Sequence, residues 1–216
     1  MNRLRTGIEG LDKLIGGGIP ERTSVLLSGG TGTGKTIFGL QFLCCQAVDN
    51  GLFLGFNEDV AQLREICSGF GWDAKKLEES GKLKFLKYDM FGLQDFFEVL
   101  ENNVREINAT RLVIDPVSSI GVHVRDSSEV RRSFVELDRA IKKNGCTAVM
   151  TTEIERDGVI SRYGVEEFVF DSVFLLRNEM ENNNYKRKLS ILKMRGSEHS
   201  TGIHCYDITK KGIAVV

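Results

Sequence analysis

Three observations predict an α/β fold: a mostly parallel central sheet flanked by helices, with an antiparallel extension toward the C-terminus. Over the first two-thirds of the 216 residues, apolar runs of strand length alternate with longer amphipathic stretches. The last third carries strand-like runs separated by short polar turns, which is the antiparallel pattern. Between the first apolar run, Ser24–Ser28, and the first long amphipathic stretch, Ile37–Ala47, stands Gly29–Thr36, GGTGTGKT. It matches G-x-x-x-x-G-K-[ST] in the strand–loop–helix context that a phosphate-binding loop requires.

The spelling follows from the chemistry. A polyphosphate is wrapped by backbone N–H groups, and glycines allow the tight dihedrals and close approach. The helix that follows adds unpaired N–H groups and the positive end of its dipole. The candidate cradle is therefore Gly29, Gly30, Thr31, Gly32, Thr33, Gly34, Lys35, Thr36 and Ile37. Lys35 supplies a point charge to the β- and γ-phosphates, and the Thr36 hydroxyl is offered to Mg²⁺, which borrows few protein ligands. A glycine-rich turn that spells the motif by chance would lack the strand and helix on its flanks.

Composition sets the class. Hydrophobic residues at 41% and charged residues at 27% are ordinary for a globular chain with a sizeable core, and the length fits one domain. A net charge of −1 gives no global argument for nucleic acid or a membrane surface. The cysteine count is odd at 5, with no C-x-x-C pair, which points to a reducing cytosol and to cysteines that are mostly small buried groups. The start, MNRLRTGIEG, has no apolar core of a secretory signal, and no apolar run nears the roughly 18 residues of a membrane span. A cytoplasmic protein is expected.

Taken in order, Thr6–Asp12 and Gly16–Pro20 read as turns around a short helix, Leu11–Ile15. Leu52–Phe56 is a buried strand ending in Asn57-Glu58-Asp59. Polar groups at the carboxyl end of a parallel strand face the ligand crevice. Glu58 is the candidate to orient or deprotonate an attacking water, and Asp59 reads as the cap of a helix over Val60–Ser68. The single tryptophan, Trp72, is assigned to core packing. Leu83–Lys87 is a short strand, and Leu93–Ile107 has the 3.6-residue period of a covering helix. Arg111–Asp115, RLVID, fits the strand whose terminal acid holds the Mg²⁺ shell beside the phosphate loop, so Asp115 joins Thr36 as a candidate metal ligand on a neighbouring strand. Ser118–Glu129 reads as a loop and Val130–Lys143 as a helix.

Cys146–Met150 is the next buried strand, and Thr151-Thr152-Glu153 at its end either sense the γ-phosphate or bond the turn. A polar loop, Arg156–Phe168, is followed by a strand at Val169–Arg177, a hairpin turn at Asn178–Asn184, an alternating strand at Lys186–Arg195 with Leu189, Ile191 and Met194 inward, and a strand at His204–Thr209. The charges of Lys193 to His199 read as a solvated strand face, with a phosphate contact across a subunit interface as the other reading.

Together these residues resemble a single RecA-type ATPase domain of the KaiC family over nearly the whole chain. The resemblance is carried by TGIEGLDKLIGGGIP, SGGTGTGKT, FNE followed by FGWD, LVIDPVSS, VMTTE, SRYGVEEFVFDSV and ILKMRGSEH. It implies an ATP-binding domain that assembles into a homo-oligomeric ring, often a hexamer, with nucleotide between subunits. Lys193, Arg195 and His199 would then reach the neighbour's nucleotide. The family pattern after the second strand is Phe-Glu-Glu, whereas this chain has Phe56-Asn57-Glu58. An amide cannot accept a proton, so slow hydrolysis is implied, with Glu58 remaining. In two-domain members the second domain autophosphorylates adjacent Ser and Thr. Glu167 and Phe168 stand at the matching positions here, so autokinase activity is not expected.

Three functions follow. The first is a slow Mg²⁺-dependent ATPase with intersubunit sites, in which Lys35, Glu58, Lys193 and Arg195 are the catalytic candidates. The second is a non-hydrolysing ATP-dependent switch that reshapes an assembly for a protein partner, motivated by Asn57. The third is a recombinase-like DNA motor, motivated by the fold and opposed by the net charge.

Overall fold

A computed structural model describes residues 2–45, 49–89, 93–122, 124, 126–154 and 158–216. A short antiparallel pair, β1 (Arg3–Leu4) and β2 (Ile19–Pro20), flanks the one-turn helix α1 (Leu11–Leu14). The main sheet starts with β3 (Ser24–Gly29), followed by α2 (Lys35–Cys44), β4 (Gly51–Gly55), α3 (Val60–Gly69), α4 (Ala74–Glu79), β5 (Leu83–Lys87), α5 (Leu93–Glu106) and β6 (Arg111–Asp115). Then come a 3₁₀ turn (Val117–Gly121), α6 (Ser127–Lys143), β7 (Thr147–Glu153), α7 (Glu166–Val169), β8 (Ser172–Glu181), β9 (Asn184–Met194), β10 (Ile203–Thr209) and β11 (Gly212–Val215). The expected helix end at Ala47, the loop start at Arg156, and His123 and Arg125 lie outside the described residues.

The sheet has 9 strands in the order β11-β10-β9-β8-β3-β7-β6-β4-β5. Pairing is parallel from β8 to β5 and antiparallel from β8 to β11. This is the expected parallel sheet with an antiparallel extension. One expectation is corrected: β6, which carries Asp115, is not beside the phosphate-loop strand, because β7 is inserted between β3 and β6. Composition cannot reveal this order, since β7 follows both strands in sequence.

Central strands are buried on both faces, so they read as continuous apolar runs. Val25 and Leu27 enter one core layer with α2 and α3, while Leu26 enters the other with α5 and α6. Trp72 stacks on Phe70 at 4.9 Å between ring centroids and is partly buried against the first layer. Of the five cysteines, Cys44, Cys67 and Cys146 are buried, Cys45 is half-buried and Cys205 is exposed. Among the described residues no helix is long and apolar enough to cross a membrane.

Several boundaries differ from the sequence expectations for physical reasons. Within Ser118–Glu129 the described residues include the 3₁₀ turn up to Gly121 and the start of α6. Asp126 caps α6, accepting from the Ser128 N–H at 2.7 Å and the Glu129 N–H at 3.3 Å, so the helix starts at Ser127. The Asn178–Asn184 turn shrinks to Asn182 and Asn183, with φ of 50° and 63°, because two left-handed asparagines close a tight hairpin. The strand expected from Val169 begins at Ser172, after α7. In β9 the period of two breaks after Ile191. A bulge opposite Val173/Phe174 leaves Leu192 exposed and returns Met194 to the core. The final strand, β11, has no counterpart among the expected elements.

Arg111, read only as the polar start of RLVID, is 1% exposed. Its guanidinium donates to Asp49 Oδ2 at 2.9 Å and to the carbonyls of Arg5 and Phe42 at 2.9 and 3.0 Å, and it lies 4.6 Å from the Phe42 ring centroid. It thus ties β6 to α2 and to the N-terminal segment. Arg111→Ala strands these acceptors, and removing one partner of a buried pair costs about 3 kcal/mol. Urea unfolding should show the midpoint falling accordingly; an unchanged midpoint would mean that the network contributes no stability.

Candidate functional site

The phosphate loop is shaped by what its glycines exclude. A Cβ on Gly29 would lie 2.7 Å from Thr33 Oγ1 and 2.9 Å from the Leu176 carbonyl oxygen. Gly34 has φ of 89° and ends the loop as the N-cap of α2, without a side-chain hydrogen bond to the helix. The first-turn N–H groups of α2 are therefore left to an external acceptor, which is what an anion site needs. These groups open onto a cleft of about 660 Å³. One wall is Thr31, Gly32, Gly34, Lys35, Thr36 and Ile37; the other is Asn57, Glu58, Asp115, Pro116, Glu153 and Ile154. Gly30 and Thr33 line a second cleft of about 710 Å³, which shares Thr31 and Ile154 with the first.

Charge is concentrated here. Lys35 Nζ folds back to donate to the carbonyls of Gly29 at 2.9 Å and Gly30 at 3.0 Å. Burial lowers its pKa, opposed by the nearby charges of Asp115, Glu153 and Glu58. Asp115 accepts from Thr36 Oγ1 at 2.7 Å on one oxygen and from Thr151 Oγ1 on the other. Its burial raises the pKa in spite of these donors and of Lys35. Glu58 is half-buried, and its Oε2 has no hydrogen-bond partner. Its pKa is raised by burial first and then by the charges of Asp115 and Glu153, while a backbone hydrogen bond and Lys35 oppose the shift. Asn57 is exposed at the mouth. Asp59 caps α3 in a box with Gln62, as expected.

These groups fit a phosphate-bound Mg²⁺. Thr36 and Asp115 offer hard oxygen donors side by side, and the orphaned Glu58 oxygen faces the same cleft. Among the described residues no group of three or more His, Cys, Asp or Glu forms a metal cage.

Lys193, Arg195 and His199 do not line this cleft. β9 runs antiparallel to β8, so its end sits at the edge of the sheet where β3 and β8 begin, away from the phosphate loop. There Lys193 Nζ donates to the Glu167 carbonyl at 2.7 Å, and Arg195 donates to the Val169 and Phe168 carbonyls at 3.0 and 2.7 Å. His199 Nδ1 lies 3.0 Å from the Ser200 carbonyl. Thr151 bonds Asp115, Glu153 lines the cleft, and Thr152 turns toward Glu166.

Sequence reasoning missed the buttress. The hydroxyl of buried Tyr206 donates to the Thr33 carbonyl at 2.6 Å, and Asn178 Nδ2 donates to the Thr31 carbonyl at 3.3 Å. Both come from the antiparallel extension. The alternation of Tyr206 in HCYDIT marked it as inward-facing, but nothing in the spacing aimed it at the loop.

A sequence model for the family described as the ATPase KaiC matches residues 4–216. The chain is 40% identical over 227 residues to the circadian clock oscillator protein KaiC of Synechococcus elongatus, covering 99% of this chain and 44% of that one. It is 38% identical over 234 residues to the circadian clock protein KaiC3 of Synechocystis, with coverage of 100% and 46%. A UPF0273 protein of Pyrococcus furiosus is 36% identical over 235 residues, with coverage of 100% and 94%. The chain thus spans about half the length of the cyanobacterial relatives and nearly all of the archaeal one. The crystal structure of a KaiC-like protein from Pyrococcus horikoshii OT3 superposes with a TM-score of 0.92 at 38% identity, covering 100% of this chain and 99% of that one.

The raised pKa of Glu58 has a consequence for stability. Above the ordinary carboxyl range of about pH 4 the unfolded state ionises freely while the folded state resists, so the penalty is absent below that range and grows as pH rises. Glu58→Gln should therefore raise the Tm of the nucleotide-free protein at pH 7 and lose that gain near pH 4. Melting curves at the two pH values check this, and equal gains at both would exclude a charge effect.

Proposed function

The chain belongs to the KaiC family of ATPases, and from this premise we propose that it binds Mg·ATP and hydrolyses it slowly at sites shared between neighbouring subunits of a ring. One observation carries the proposal. Two sets of groups, read here as the halves of one phosphoryl-transfer site, stand at opposite ends of one sheet: the phosphate loop with Thr36, Asp115 and Glu58 at one end, and Lys193 with Arg195 at the other. Head-to-tail association brings the halves together, and such a contact closes into a ring when its rotation permits.

In this reading the amides of Gly29 to Ile37 wrap the phosphates, and Lys35 leaves its two carbonyl acceptors for the β- and γ-oxygens. Thr36 and Asp115 would hold Mg²⁺, which would supply neutralisation of phosphate charge. Glu58, with a raised pKa and a free oxygen, positions the attacking water and accepts its proton. Arg195 and Lys193, with His199 close by in sequence, face the neighbour's γ-phosphate, where an arginine in trans stabilises the charge of transfer. Asn57 stands where the family pattern has a glutamate, one methylene shorter and without the carboxylate's basicity, which supports a low rate. The same residue favours a second reading, a switch that binds ATP without turnover.

Phosphate release from Mg·ATP over a range of protein concentrations tests the proposal. Activity per subunit should rise with concentration, and Glu58→Gln should lower turnover by a factor on the order of 10² or more. Tight ATP binding with no release would replace hydrolysis by the switch. Release that is independent of concentration and insensitive to Arg195→Ala would remove the shared site.

A further inference from the structure

One buried acid plays no part in the chemistry above. Glu166 is 0% exposed, yet its carboxylate is richly partnered. Oε2 lies 2.7 Å from Ser161 Oγ, whose one hydroxyl proton is shared with Glu167 Oε2, both oxygens take the Tyr163 N–H at 3.2 Å, and Oε2 also takes the Val165 N–H at 3.2 Å. Thr152 Oγ1 lies 3.4 Å from Oε1. A desolvated carboxylate met by this many donors is a fixed point in the fold.

What it fixes lies on two sides. Thr152 stands in β7 between Thr151, which bonds Asp115, and Glu153, which lines the phosphate cleft. Glu166 also opens α7, and the carbonyls of the next three residues hold the two cations: Glu167 holds Lys193, while Phe168 and Val169 hold Arg195. Asp171 adds a backbone acceptor for the Arg195 N–H at 3.0 Å and a carboxylate oxygen 3.6 Å from its guanidinium. The cations therefore stand on α7, and the place of α7 is set by Glu166.

We propose that Glu166 is a positioning residue for the half-site offered to the neighbour: it sets where Lys193 and Arg195 stand, and through Thr152 it ties that position to the chain's own phosphate cleft. The inference rests on the shared-site reading above. The leverage is geometric, because a displacement of about 1 Å at a transferring group can cost on the order of 10²-fold in rate.

Glu166→Gln puts an amide NH₂ against backbone N–H donors and should shift α7. The expected result is a kcat lowered roughly 10- to 100-fold with KM for ATP within about twofold, since the cradle itself is intact. A lesion in trans has a further signature. When Glu166→Gln is co-expressed with Lys35→Ala, mixed assemblies pair an intact phosphate loop on the first subunit with intact Lys193 and Arg195 on the second. Activity should return above that of either variant alone. Arg195→Ala with Lys35→Ala is the reference pair. If the reference pair recovers and the Glu166 pair does not, Glu166 serves its own cleft and the inference is overturned while shared sites stand. If the reference pair fails, the shared-site reading falls and takes the inference with it. Ser161→Ala removes the hydroxyl that Glu166 shares with Glu167 and that accepts the Gly164 N–H, and it should reproduce the pattern more weakly, which decides the matter should Glu166→Gln fold poorly.

Discussion

A buried carboxylate joins the three pieces from which the cleft is made. Asp115, at the end of β6, takes the Thr36 hydroxyl on one oxygen and the Thr151 hydroxyl on the other. Thr151 stands on the adjacent β7, whereas Thr36 follows β3, two strands away. Two hydroxyl donors only partly offset the desolvation of its charge, so its pKa is held up by burial. Lys35 is in the mirror situation, with its charge desolvated and parked on two loop carbonyls. Cation and carboxylate are thus each satisfied by protein groups, at some cost. Under the proposed function, phosphate oxygens and a divalent ion would replace these protein partners, and the cost of the present arrangement would favour that exchange.

A glycine-rich loop cannot hold such a site unaided, because its backbone has the most freedom to lose. The antiparallel extension supplies the restraint. Tyr206 on β10 reaches the Thr33 carbonyl, Asn178 on β8 reaches the Thr31 carbonyl, and Ile208 closes on Gly34, where an added Cβ would be 2.9 Å from its Cδ1. The loop is therefore clamped between the parallel strand that delivers it and strands that arrive much later in the chain.

That division explains what could be read from the sequence. The loop, Asp115 and Glu58 were legible because local chemistry spells them: glycines before a helix, and acids at the ends of apolar runs. The core faces of α5 and α6 were legible through their period. The insertion of β7 was not, because strand order depends on how crossovers pack and leaves no mark on composition. The start of α6 was available in Asp126 with Glu129 three residues on, but the polar stretch around it read as loop. Arg111 and Glu166 were hidden for a related reason. Each is a charged residue whose partners are mainly backbone groups, and backbone acceptors and donors have no signature in a sequence. Lys193 and Arg195 were legible as residues, though only the resemblance to a family gave them a direction.

The direction itself follows from one turn. Had the strand after β8 continued parallel, its end would stand beside the phosphate loop, and Lys193 and Arg195 would belong to the same cleft as Lys35. The two asparagines at 182 and 183 close an antiparallel hairpin instead, and the chain travels back along the whole of β8 before it reaches the cations. They are delivered to the far edge, where α7 receives them on its carbonyls. A tight hairpin therefore delivers Lys193 and Arg195 to the end of the sheet opposite the phosphate loop. A rigid sheet cannot fold onto itself, so in the proposed shared site these cations would meet a phosphate on the loop of a second copy, and the distance between the two ends would set the repeat of that proposed assembly.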